Sequence, residues 1–230
     1  MPDQLMSDPK SDASATQRTY HLLRRMIVTG QLQPGEKLKI DALRGRLDTG
    51  ASPIREALSL LTSDNLVERI DQRGFRATAI SHANFEEILR LRCDLEAMAL
   101  RLSIANRTDA WEEKLVLSHH RMSRAQGRDE EAFEDLHKAF HIALLDNCDS
   151  PILLRFCSQL YDLNIRYRYI LGGLKTYRTR DISAEHQAIL TAAIEGDADR
   201  ASERLLEHYR KTGAFLAEVF GAGALVHVTP

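Results

Sequence analysis

Nine histidines are spread along the 230-residue chain, and four of them stand at spacings that chemistry can use. His137 and His141 are four residues apart in a stretch of helical periodicity, so they are neighbours on one helix face and can share a metal ion. His186 lies ten residues before Gly196, and His208 lies eleven after Asp197. If Gly196-Asp197 closes a hairpin between two helices, a rise of ~1.5 Å per residue sets both histidines about 15 Å from the turn, facing one another at one level. Four neutral nitrogen donors from three helices suit a borderline divalent transition ion such as Zn²⁺ or Ni²⁺ better than Ca²⁺ or Mg²⁺, which demand oxygen. The competing reading is four separate histidines, each hydrogen-bonded or exposed.

The same donors admit a metal-dependent hydrolase as the alternative, with a metal-activated water as nucleophile. The chain contains no HExxH motif, and no Asp or Glu stands out as a general base beside the histidine pair. An ion ligated by four side chains also leaves little room for substrate and water together. The expectation is therefore a binding protein and not an enzyme.

A second group of candidates lies in the N-terminal third. Ser52 and Pro53 are placed to cap and open a helix running to Asn65, with Ile54, Leu58 and Leu61 turned inward. Arg55 then stands one turn into that helix, opposite its apolar face. In a helix-turn-helix this position reaches a guanine edge or a phosphate, while Ser52 and the neighbouring backbone N–H groups hold a phosphate. Arg44 and Arg46 on the preceding helix are candidate phosphate contacts. Arg73 and Gly74 sit at the tip of a hairpin loop, where a small basic wing can meet the minor groove. For each single arginine the alternative is a solvated surface charge.

The elements that must position these residues follow from periodicity. Tyr20, Leu23 and Ile27 mark a first helix ending near Gly30. Gln33-Pro34-Gly35 turns the chain into a second short helix, with Ile40, Leu43 and Leu47 buried, and the break at residues 48–51 leads into the third. Residues 66–70 and 75–80 read as strands joined by a Gly-containing loop, so three helices plus a β-hairpin predict a winged helix-turn-helix. From Phe85 onward the apolar residues keep a helical period. Helices are expected over 85–106, 110–126, 129–147, 151–171, 183–195 and 197–220, with Gly196 ending one helix and Asp197 capping the next. Leu115, Leu117 and Met122 could serve a core or an interface. The chain thus reads as mainly α: a disordered arm over 1–15, a winged helix-turn-helix over 16–80, an all-α helix bundle over 84–220 and a loose tail over 221–230.

Composition narrows the class. The net charge of −2 conceals an uneven distribution, because residues 16–80 hold eleven Lys and Arg against seven Asp and Glu. Only that third is drawn to a polyanion. Cys93, Cys148 and Cys157 form no CxxC pair and are odd in number, which fits a reducing compartment. No apolar run approaches the ~20 residues needed to cross a bilayer, and the start MPDQLMSDPKSDASA is polar and acidic where a signal peptide is basic and then apolar. A cytoplasmic protein with no membrane partner is expected.

The segments TGQLQPGEKL, SPIREALSLL and NLVERIDQRGFRATAI, in this order, resemble the DNA-binding domain of GntR-type regulators. The resemblance implies a transcription regulator, in practice a repressor, acting on double-stranded operator DNA as a homodimer. It gives Arg55 the role of a base- or backbone-contacting arginine and Gly74 that of the wing glycine. Family members usually carry a Ser-Arg pair just before this helix, where this chain has Gly50-Ala51.

LRCDLEAMAL, DLHKAFHIALL and AEHQAILTAAIEGDADRASERLLEHY resemble the effector domain of the FadR subgroup, over most of residues 84–212. Many of its members bind a divalent metal through an Asp-xxx-His pair and two later histidines. Here His137 takes the Asp position, and His141, His186 and His208 match the other three, which removes one negative charge from the site. The resemblance also implies that Arg92 faces the metal pocket and pairs with a ligand carboxylate through its bidentate fork. An ion pair between Arg92 and Glu96 is the rival reading. Arg166, Tyr167 and Tyr169 are weaker pocket candidates. The motifs look most like those of glutarate-responsive members, which implies a small dicarboxylate or hydroxy acid as effector.

Overall fold

The computed structural model describes residues 14–70, 73–126, 130–171 and 181–221. Among these residues the chain forms nine helices and three short strands, in two compact units that divide after Ile80. Residues 1–13 of the expected arm and 222–230 of the expected tail lie outside the described residues, as do Asp71 and Gln72 of the hairpin loop.

In the first unit, helix α1 (Ala15–Val28) opens on Ser14, whose side chain accepts from the Gln17 N–H at 3.2 Å. The last two residues assigned to the arm therefore belong to the fold. Leu23, Met26 and Ile27 on α1 pack against Ile54, Leu58 and Leu61 of α3 (Ala51–Ser63). Tyr20 fastens the two helices by donating to Asp64 at 2.6 Å. Between them runs α2 (Ile40–Leu47), which stops where Asp48 adopts a left-handed conformation.

The cap of α3 differs from the expected one. Gly50, in extended conformation, takes the position before α3, so Ser52 is its second residue and not its cap. Pro53 then stands third, still among the first four N–H positions that have no partner within the helix, and its missing donor costs nothing.

Strands β2 (Val67–Ile70) and β3 (Gly74–Ala77) form the expected hairpin, although β3 ends three residues earlier than its apolar run. The sheet holds one strand that periodicity did not show. β1 (Lys37–Leu38) pairs antiparallel with β3, Leu38 opposite Phe75, to give the order β1-β3-β2. Two residues are too few to display alternation.

The second unit is a helix bundle: α4 (His82–Ala105), α5 (Asp109–Ala125), α6 (Glu130–Leu145), α7 (Pro151–Ile170), α8 (Ile182–Ile194) and α9 (Ala198–Gly221). Five of these starts carry a side-chain cap. Ser81, Thr108, Ser150, Asp181 and Asp197 accept from the N–H groups of Asn84, Trp111, Leu153, Ala184 and Arg200. Each such cap stabilises its helix by about 1 kcal/mol. Ser81 explains why α4 begins ahead of the first periodic residue, Phe85.

Helix α4 packs on α7 and α9, α5 on α6, and α8 on α9, around Leu100, Trp111, Leu115, Phe140, Leu144 and Leu205. The Trp111 indole N–H donates to the Ala143 carbonyl at 2.8 Å, so its one polar atom is satisfied inside the core. Leu115 and Met122 belong to this core, whereas Leu117 is exposed. Among the described residues no helix is long and apolar enough to cross a membrane.

Candidate functional site

The turn between α8 and α9 sets the height of two histidines. Gly196 adopts φ +77°, its N–H bonds the Ala193 carbonyl at 3.1 Å, and the Asp197 N–H bonds that of Ala192 at 3.0 Å. This closes α8 in a Schellman motif whose left-handed position favours glycine. Asp197 then starts α9 at once, and the two helices return side by side with the rings of His186 and His208 at a centroid separation of 4.7 Å. From α6, His137 and His141 present their rings to the same point.

The four histidines are all buried, and each offers a nitrogen within 4.8 Å of the others. His137 Nε2 lies 3.2 Å from both His141 Nε2 and His186 Nε2. A tetrahedral ion with Zn–N bonds of about 2.0–2.1 Å has ligand nitrogens about 3.3 Å apart, a spacing that these two pairs match. Burial lowers the His137 pKa and drives those of His141 and His186 well below the usual value, which leaves neutral imidazoles with lone pairs to donate.

The outward nitrogens are also held. His137 Nδ1 is 2.6 Å from the Tyr161 hydroxyl and 3.1 Å from Glu134 Oε1, His141 Nδ1 is 2.9 Å from the Tyr209 hydroxyl, and His208 Nδ1 is 2.8 Å from Glu185 Oε2. Partners of this kind fix the ring and tautomer of a metal-binding histidine. Sequence reading had not selected these groups. Three of them stand close to a cluster histidine in sequence, Glu185 beside His186, Tyr209 beside His208 and Glu134 one helical turn before His137.

Glu134, the carboxylate beside His137, is poorly suited to act as the general base of a hydrolase. Burial opposes its charge, but Arg168 at 3.4 Å and His137 outweigh this and lower its pKa to about 2. It is bonded to the outward nitrogen of His137, away from the point where the Nε2 atoms converge.

A cavity of about 30 Å³ adjoins the cluster, lined by Arg92, His137, Asn164, Arg168, His208 and Thr212 among others. Arg92 Nε donates to Glu96 at 2.6 Å and Nη1 to the Asn164 amide oxygen at 2.9 Å, with the guanidinium 4.1 Å from the Tyr209 ring centre. Arg92 is thus paired with Glu96, the rival reading, and also lines the cavity. Its Nη2 and the Asn164 Nδ2 are buried donors with no acceptor among the described residues.

Of the motif NIRYRYI, it is Arg168 that lines the cavity, together with Asn164 one turn earlier. Arg166 and Tyr169 are not among its lining residues. Residues 161, 164 and 168 share a helix face, from which 166 is turned through about 200°. Arg166 is instead buried elsewhere, with its pKa lowered to about 10 by burial. The Tyr167 hydroxyl bonds Asn84 at 2.6 Å.

In the first unit, Ser52, Arg55 and Ser59 line the exposed side of α3, opposite Ile54, Leu58 and Leu61. Arg44 and Arg46 are exposed on α2, where Arg44 lies 3.5 Å from Asp41 and Arg46 donates to Gln31 at 3.1 Å. Arg73 and Gly74 are exposed at the hairpin, and Gly74 has φ +95°, a conformation that L side chains rarely adopt.

Residues 87–211 match the family model of the FCD domain, and residues 15–76 match that of the bacterial regulatory proteins, gntR family. The chain is 34% identical over 197 residues to the HTH-type transcriptional repressor GlaR of Escherichia coli (strain K12), covering 82% of this chain and 90% of the relative. It is 36% identical over 202 residues to the HTH-type transcriptional regulator BphR of Paraburkholderia xenovorans (strain LB400), covering 85% and 82%. Among solved structures, E. coli McbR/YncC shares the fold with a TM-score of 0.77 at 24% identity, over 90% of this chain and 99% of that one.

Proposed function

Because the chain belongs to the GntR family of bacterial regulatory proteins, with an FCD domain forming its helical unit, we propose that it is a metal-loaded repressor released from its operator by a small carboxylate. It is a DNA-binding transcription regulator and not an enzyme. The observation that carries the finer reading is the convergence of four histidine nitrogens beside a cavity lined by Arg92 and Arg168.

Four nitrogen donors at this spacing favour Zn²⁺ or Ni²⁺, held by His137, His141, His186 and His208. A divalent ion there supplies Lewis-acid affinity for a carboxylate oxygen. The protein supplies the rest. Arg92 Nη2 and Asn164 Nδ2 offer two buried donors to a second anionic or hydroxyl group, and satisfying such donors recovers about 1–3 kcal/mol each. A dicarboxylate or hydroxy acid matches this pairing, in keeping with the resemblance to glutarate-responsive members. The cavity has the volume of about one water, so an effector enters only as Arg92 or its neighbours give way.

On the DNA side, Arg55 reads a base edge or backbone, Ser52 and the α3 N-terminus hold a phosphate, and Arg44, Arg46 and Arg73 with Gly74 make flanking contacts. A cytoplasmic homodimer places two such heads on a pseudo-palindromic operator. Reciprocity requires that an effector which releases DNA binds the DNA-free protein more tightly.

Elemental analysis of the purified protein tests the metal. The reading expects about one transition ion per chain, lost in a His141→Ala, His208→Ala variant. Metal-free wild type after growth with Zn²⁺ and Ni²⁺ would refute it.

A further inference from the structure

Two side-chain chains of the same order run outward from the histidine cluster. In the first, His141 Nδ1 meets the Tyr209 hydroxyl at 2.9 Å, Tyr209 donates to Glu96 Oε2, and Glu96 Oε1 accepts from Arg92 at 2.6 Å. In the second, His137 Nδ1 meets the Tyr161 hydroxyl at 2.6 Å and also Glu134 Oε1 directly at 3.1 Å, Tyr161 donates to the same carboxylate, and Glu134 faces Arg168 at 3.4 Å. The carboxylates come from α4 and α6 and the tyrosines from α9 and α7, so no local repeat generates the likeness. All eight residues are buried.

A phenol has one proton and a neutral imidazole has one N–H. Because each carboxylate takes the phenol proton, each tyrosine oxygen can only accept from the histidine, so that imidazole must carry its proton on Nδ1. Nε2 is then a bare lone pair aimed at the cluster. Without the carboxylate the phenol could donate to Nδ1 instead, moving the histidine proton to Nε2, where it would block a metal.

Resting on the metal reading above, we propose that Tyr209 with Glu96, and Tyr161 with Glu134, are positioning pairs that lock His141 and His137 in their metal-accepting tautomer. Each pair ends on an arginine of the effector cavity, so the carboxylate that prepares a histidine is the one an incoming anion competes with for Arg92 or Arg168.

The test uses the full chain and Co²⁺, with affinity measured by chelator competition and ligand geometry by the visible d–d bands. Tyr209→Phe keeps the ring beneath Arg92 and removes the hydroxyl, and Glu96→Gln serves as a second variant that leaves Tyr209 intact. Circular dichroism shows whether each is folded. Both variants should bind Co²⁺ about 10- to 100-fold more weakly than wild type, with shifted d–d bands. Wild-type affinity and bands in a folded variant would overturn the positioning role. Wild type that binds no Co²⁺, Zn²⁺ or Ni²⁺ would overturn both this inference and the metal reading, and would be told apart by the wild-type protein alone.

Discussion

The rings of His186 and His208 face one another at 4.7 Å because Gly196 and Asp197 turn the chain with no residue to spare. The turn therefore belongs to the site although it touches no ligand. A Cβ on Gly196 would meet Arg107 Nη1 at 2.7 Å, and the position has φ +77°. Gly196→Ala should destabilise the protein by about 1–2 kcal/mol in urea titration. It should also weaken metal binding, as the two histidines lose their common level.

Arg92 and Glu96 are 5% and 1% exposed, so removing one leaves the other charged and buried. Arg92→Ala should cost about 3–5 kcal/mol of stability. Arg92→Lys keeps the charge beside Glu96 but loses the fork that also holds Asn164. Thermal-shift titration with glutarate should then show metal content unchanged and effector affinity lower by about tenfold or more, the loss of roughly one charge-assisted hydrogen bond.

A metal held by the four histidines would tie α6, α8 and α9 together, so chelation should act on stability. At a free metal concentration of 100 times Kd, the bound ion contributes about 2.7 kcal/mol. Removing it should lower Tm by roughly 5–10 °C. Differential scanning calorimetry before and after dialysis against a chelator checks this, with no shift expected in the His141→Ala, His208→Ala variant.

Phosphate and base contacts on DNA separate by their salt response. Affinity for operator should fall steeply as salt rises, and Arg46→Ala should reduce the slope of log K against log salt by about one while weakening all sequences alike. Arg55→Ala should cost about 1–3 kcal/mol on operator and much less on random DNA if it reads a base. Fluorescence anisotropy at several salt concentrations distinguishes the two.

The helices and the histidine cluster were legible in sequence because each rests on local periodicity or on equal distance from one turn. Ser81, Thr108 and Ser150 moved or fixed the starts of α4, α5 and α7 through capping, which a count of apolar residues does not register. β1 escaped because two residues carry no alternation, and the α3 cap was misplaced because Gly50 and Ser52 are both acceptable there. The groups around the histidines were illegible for a different reason. Tyr161, Tyr209, Glu96 and Asn164 reach the cluster from three helices, and their meeting depends on helix packing that no spacing within one segment encodes. The same packing chose Arg168 over Arg166, a rotation of a helix face within one motif.

In the proposed function a carboxylate acts on operator binding through the histidine cluster. The most direct measurement is anisotropy of an operator selected by the protein from random duplexes, titrated with small dicarboxylates and hydroxy acids, on metal-loaded wild type and on His141→Ala, His208→Ala. At least one of these acids should weaken operator binding by wild type about tenfold or more. The variant should bind the same operator and ignore that acid. A variant that answers the acid as wild type does, or a wild type indifferent to every acid in the series, would contradict it.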